Sequence, residues 1–97
     1  MSFATLHVLQ SIASGYVYGF DIMDATGLPS GTVYPILSKL EDSGFLKSRW
    51  EDARVAKREK RPARKSYEVT GAGREALEEN LKKYRMLQRL ATRKATS

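Results

Sequence analysis

At 97 residues, 41% hydrophobic and 29% charged, with a net charge of +6 and no cysteine, the chain has room for one small domain around one modest core. Those values exclude a large enzyme fold, a disulfide scaffold and any thiolate metal site, and fit a reducing cytoplasm. No run of about 18 apolar residues and no signal-peptide pattern is present, so no membrane contact is expected.

Ser2 precedes Phe3, Leu6, Leu9, Ile12 and Ala13, whose spacing predicts a first helix ending at Ser14-Gly15. A second short helix is predicted from about Tyr18 to Thr26, with Phe20, Ile22, Met23 and Ala25 apolar and Gly27 as its terminator. Leu28-Pro29 forces an extended link. Ser30 is the expected N-cap of a third helix, in which Val33, Ile36, Leu37 and Leu40 form an apolar stripe ending at Ser43-Gly44. Pro35 sits early in it and is expected to make its first turn irregular or to delay its start.

After Gly44 the period changes to two. Leu46, Ser48 and Trp50 face one way and Phe45, Lys47, Arg49 and Glu51 the other, as in a strand, with Trp50 expected to pack on the hairpin or the last helix. A second strand is predicted over Lys65 to Val69, joined to the first by a 13-residue charged loop, Asp52 to Arg64, with no apolar periodicity. Thr70 is the expected N-cap of the last helix, whose stripe runs through Ala76, Leu77, Leu81, Tyr84, Leu87 and Leu90/Ala91. The tail from Thr92 to Ser97 is expected to fray.

Charge is concentrated in one place. Between Arg54 and Lys65 stand seven basic residues against Glu59 alone, a local +6 equal to the charge of the whole chain. A polyanionic partner is implied. Three helices, a strand, a long basic loop, a strand and a long helix are the arrangement of a winged helix-turn-helix, with Gly27-Leu28-Pro29 as the turn. The expected fold class is α+β, mostly α. Residues 1–70 are expected to form a DNA-binding domain of this kind and residues 71–97 a C-terminal dimerisation helix with a frayed tail.

The stretch Ser30-Gly31-Thr32-Val33-Tyr34-Pro35-Ile36-Leu37-Ser38-Lys39-Leu40-Glu41-Asp42-Ser43-Gly44 resembles the recognition-helix signature of the PadR-like family of winged-helix transcriptional regulators, Pro-Gly-Thr-Leu-Tyr-Pro-x-Leu-x-x-Leu-Glu-x-x-Gly. Arg64-Lys65-Ser66-Tyr67-Glu68-Val69-Thr70, followed by Ala72-Gly73-Arg74-Glu75-Ala76-Leu77, is similar to that family's run from the second wing strand into the last helix. MarR-like and ArsR-like winged helices share the last run loosely but not Thr-Val-Tyr-Pro. The resemblance spans roughly residues 5 to 80.

Two departures stand out. Tyr18-Gly19-Phe20-Asp21 replaces the family's His-Gly-Tyr-Glu, which removes a phosphate bond from the second aromatic's hydroxyl, and the loop between the strands is longer and more basic. The resemblance implies a non-catalytic regulator, a repressor by family habit, that belongs to the shorter branch and dimerises through its last helix. Some relatives bind planar aromatic compounds at the dimer interface, but the last helix here has no Trp, so a small-molecule effector stays unassigned.

On this reading Ser30, Thr32, Tyr34, Ser38 and Lys39 face double-stranded DNA, and the wing supplies Lys57, Arg58, Lys60, Arg61, Arg64 and Lys65 for phosphate or minor-groove contact. Of these, Arg61, Arg64 and Lys65 are favoured because they lie nearest the strand that anchors them. A helix so poor in Arg and Asn predicts modest specificity, resting on Tyr34, Thr32, apolar contacts and DNA shape. Leu77, Leu81, Tyr84, Leu87 and Leu90 are the expected dimer interface, with the same helix or the first helix of a second copy.

The competing class is a winged-helix protein-interaction module or accessory subunit with only non-specific DNA affinity. An enzyme is disfavoured by one His, no Cys, no paired carboxylates and no Gly-rich phosphate loop, and no cofactor or metal is expected. His7 is read as a surface or interface residue.

Overall fold

The computed structural model describes residues 1–96, in the order α1 (Phe3–Ala13), α2 (Gly19–Thr26), α3 (Ser30–Asp42), β1 (Leu46–Trp50), α4 (Ala53–Arg58), β2 (Lys65–Val69) and α5 (Gly71–Thr96). Ser2 caps α1 by accepting from the Thr5 N–H at 3.2 Å. Gly27 ends α2 at φ 72°, a left-handed conformation that glycine adopts without a Cβ penalty, and its N–H donates to the Met23 carbonyl.

At α3 the cap is Pro29, not Ser30. Its extended backbone, φ −73° and ψ 161°, aims its carbonyl at the Thr32 and Val33 N–H groups, both 3.0 Å away, so Ser30 becomes the first helical residue with its side chain exposed. Pro35 neither delays nor breaks the helix. The bond that it forfeits falls on the Gly31 carbonyl, four residues back in the exposed first turn, where the carbonyl is open to solvent.

The core is built where α1, α2 and α3 meet the hairpin. Val8, Leu9, Ile22, Val33 and Leu37 are fully buried, each a gain of about 1.5–3 kcal/mol over exposure, and Leu6, Ile12, Leu40, Leu46, Tyr67, Val69 and Leu77 close around them. The stripe drawn for α1 is displaced: Phe3 is 66% exposed, with its ring centroid 6.0 Å from that of Tyr84, while Val8 and Ser11 are buried. Of the apolar residues on α2 only Ile22 is buried, and Phe20 points to solvent.

β1 and β2 pair antiparallel in the register Leu46↔Val69, Ser48↔Tyr67, Trp50↔Lys65, which puts Leu46, Tyr67 and Val69 on the core face. The Tyr67 N–H also donates to the Val17 carbonyl at 2.9 Å, and Tyr18 bridges Ser66, so the chain before α2 adds a short third edge to the wing. Trp50 keeps the predicted alternation and meets the hairpin through Lys65, its cross-strand partner, whose ammonium lies 5.8 Å from the ring centroid. It is 65% exposed.

The charged connection is not irregular throughout. Asp52 caps the short helix α4, accepting from the Arg54 N–H at 2.8 Å, and Ala56 is buried beneath it. Six residues are too few to show a helical period in sequence.

Thr70 caps α5 as expected, its hydroxyl accepting from the Gly73 N–H at 3.0 Å and donating to the Gly44 carbonyl at 2.7 Å. α5 stays helical to Thr96, past the point where fraying was expected, and Ser97 lies outside the described residues. Its length makes the molecule 61 Å long with a radius of gyration of 16.2 Å, against about 13 Å for a compact chain of this size. The architecture is a winged helix-turn-helix carrying one long C-terminal helix.

Candidate nucleic-acid interface

α3 buries Val33, Leu37 and Leu40 and turns Ser30, Tyr34, Ser38 and Lys39 outward, with Thr32 half-buried at its first turn. Tyr34 is fixed more closely than its 48% exposure suggests. Its ring lies against the bare backbone of Gly19, where a Cβ would stand 2.5 Å from the phenolic oxygen.

Tyr34 and Ser38 share a cleft of about 490 Å³ with Tyr18, Phe20 and the base of the wing, where Trp50, Arg64, Lys65 and Tyr67 form the opposite wall. The exposed face of α3 and the wing therefore open onto one surface. Its lining holds two cations and no carboxylate.

The cations of the basic run, Arg54 to Lys65, divide into two groups. Glu51, at the end of β1, takes the Arg61 guanidinium in a two-toothed grip, 2.6 Å to one nitrogen and 2.8 Å to the other, and the Arg64 guanidinium at 3.5 Å. The Arg61 hydrogen bond, reinforced by the charges of Arg61 and Arg64, outweighs burial and holds the Glu51 carboxyl down to about 2. Arg64 also stacks on Tyr18, 4.1 Å from the ring centroid. Lys65 reaches Glu41 at 3.6 Å and lies 5.8 Å from the Trp50 centroid. Arg54 is paired with Asp52 at 2.9 Å.

Lys57, Arg58 and Lys60 form the other group. All three are exposed at the end of α4, and none has an ion-pair or hydrogen-bonding side-chain partner among the described residues. Lys60 turns the chain there at φ 56°, a conformation that costs a non-glycine residue roughly 1 kcal/mol. The cations favoured from sequence, Arg61, Arg64 and Lys65, are thus the ones already engaged within the protein. Neighbours in sequence cannot reveal this, since Glu51 and Arg61 meet only when the hairpin closes. The one signal was an acidic pair, Glu51-Asp52, directly before the basic run.

The predicted dimer stripe is also divided. Leu77 is a core residue of its own chain, and Leu81 and Tyr84 pack partly against that core, because α1 lies along the first half of α5. Leu87 and Leu90, with Met86, are about 60% exposed. His7 is half-buried, 5.7 Å from the Phe3 ring. Among the described residues no cluster of His, Cys, Asp and Glu could hold a metal ion, and no helix is long and apolar enough to cross a membrane.

Residues 8–79 match the sequence model of the Transcriptional regulator PadR-like family. No curated protein matches the chain significantly. Solved structures do: a PadR family transcription regulator from Clostridium difficile R20291 superposes with TM-score 0.82 at 20% identity, covering 95% of this chain and 97% of that one. A PadR-like regulator from Bacillus cereus ATCC 14579 gives 0.75 at 22%, covering 92% and 87%. BpsR of Bordetella bronchiseptica, whose DNA binding is regulated by 6-hydroxynicotinic acid, gives 0.73 at 18%, covering 92% and 63%. At these identities the likeness to the solved structures is one of fold.

Proposed function

Because this chain belongs to the PadR-like family of transcriptional regulators, we propose that it acts in the cytoplasm as a homodimeric repressor, occupying a pseudo-palindromic operator. The observation that carries this reading is the shared cleft, which sets Tyr34 and Ser38 of α3 on the same surface as the wing. In it α3 enters the major groove with Thr32, Tyr34, Ser38 and Lys39, while Ser30 and the helix N-terminus meet a flanking phosphate. Lys57, Arg58 and Lys60 are charges of the wing loop for the DNA backbone, and Arg64 and Lys65 line the cleft beside α3.

Dimerisation uses the exposed half of α5, Leu87 and Leu90 with Met86, beside Tyr84 and Phe3. Two copies then place their recognition helices about one DNA turn, ~34 Å, apart. The reading includes an unidentified small-molecule effector, by likeness to BpsR.

A fluorescence-anisotropy titration against the chain's own upstream intergenic duplex and a scrambled duplex, at several salt concentrations, tests it. Tight, steeply salt-dependent binding to the native duplex and weaker binding to the scrambled one is expected. Equal, weak binding to both by a monomer would overturn the proposal and favour a module that binds protein through α5.

A further inference from the structure

The wing carries its cations in unequal states, and one residue divides them. Glu51 is fixed by its own backbone, whose N–H donates to the Arg64 carbonyl at 2.7 Å, so its carboxylate is held where Arg61 and Arg64 both reach it. The Glu51 side chain is only 14% exposed and that of Arg61 29%, which removes the pair from much of the solvent screening that weakens surface ion pairs.

A carboxylate gripped at both oxygens offers an arginine what two phosphate oxygens would offer. The duplex must therefore compete with an acceptor that is already in place. Affinity for any sequence grows with the number of phosphates neutralised, whereas contacts from α3 read a particular site. Cations withheld from phosphates therefore lower the sequence-independent part of the affinity, by a similar factor on every duplex, and leave a larger share of the binding to α3.

We propose that Glu51 withholds Arg61 and Arg64 from DNA phosphates and thereby limits non-specific binding by the wing. The inference rests on the DNA-binding reading above. Glu51 itself touches no DNA in it; it is a positioning residue that sets the wing's sequence-independent affinity through the two arginines.

The test compares wild type, Glu51→Gln and Glu51→Gln/Arg61→Gln/Arg64→Gln on a scrambled duplex and on the upstream duplex, between about 50 and 200 mM salt, with circular dichroism to check folding. Glu51→Gln is expected to steepen the dependence of log affinity on log salt for the scrambled duplex by up to about 1.8 per protomer, two phosphates at about 0.9 each. It should also bind both duplexes several-fold tighter at the low-salt end, with the ratio between them nearly unchanged. The triple variant should return the slope to the wild-type value or below.

If Glu51→Gln does not fold, Glu51→Asp, which keeps the charge on a shorter arm, decides the matter with a smaller steepening. A folded Glu51→Gln, or in its place a folded Glu51→Asp, with an unchanged or shallower slope would make Glu51 a staple of the hairpin and overturn this inference alone. A wild-type chain with no salt-dependent affinity for either duplex would overturn the DNA-binding reading, and this inference with it.

Discussion

The ring of Tyr34 on α3 occupies the space that a side chain at Gly19 would need: a methyl there would meet the phenolic oxygen at 2.5 Å and Cζ at 2.9 Å. The contact ties the outward face of α3 to the first residue of α2 and orients a side chain in the proposed reading surface.

Gly19→Ala is therefore expected to separate stability from recognition. The atom in the way is the far end of a half-exposed side chain that can swing aside, and alanine favours helix over glycine by roughly 0.5–1 kcal/mol. Unfolding free energy should change by less than about 1 kcal/mol, while preference for the native duplex over a scrambled one falls several-fold in an anisotropy titration. An unchanged preference would release Tyr34 from the reading surface.

Gly73→Ala should behave in the opposite way. Its Cβ would run into the Phe45 backbone carbonyl, which also accepts from the Thr70 N–H at 3.1 Å and cannot yield without disturbing the start of α5. A loss of about 3 kcal/mol is expected from denaturant unfolding, with no specific effect on DNA beyond that caused by instability.

Neutralising Lys57, Arg58 and Lys60 together, each to Gln, should leave the melting temperature nearly unchanged, since all three are exposed and without ion-pair partners among the described residues. The salt slope of DNA binding should fall by about 0.9 for each phosphate that the wing no longer neutralises. A slope equal to that of wild type would remove the end of α4 from the interface.

Leu87→Glu with Leu90→Glu is expected to give a folded monomer by size-exclusion chromatography with light scattering, because both residues are about 60% exposed. DNA affinity should drop by at least tenfold with the loss of the second half-site. A double variant that still dimerises would relocate the interface.

The Glu51 clamp gives a pH window. Its carboxyl is lowered from 4.5 to about 2, first by the Arg61 hydrogen bond, so its contribution to stability is fully present above about 4.5 and is lost as pH falls through about 2. The difference in urea-unfolding free energy between wild type and Glu51→Gln should hold near pH 7 and shrink across that acid range. A difference that stays constant to pH 2 would show that the ionised carboxylate of Glu51 adds nothing to folding.

Apart from α4, the element order, the alternation of the two strands and the N-cap of α5 were legible in the sequence, because they follow from local rules. Period 3.6 gives way to period 2 at Gly44, and Thr70 bonds an N–H three residues on. The charge of the wing was legible too, since net charge needs no folding to count. What only the tertiary structure decided is which charges remain available. Glu51 and Arg61 stand ten residues apart, and their 2.6 Å contact exists only once β1 and β2 close with α4 folded between them. The same holds for Leu77 and Leu87. They share one stripe on one helix, but α1 covers the first half of α5 and leaves the second half bare, a distinction made by the length of a neighbouring helix and not by any residue in the stripe.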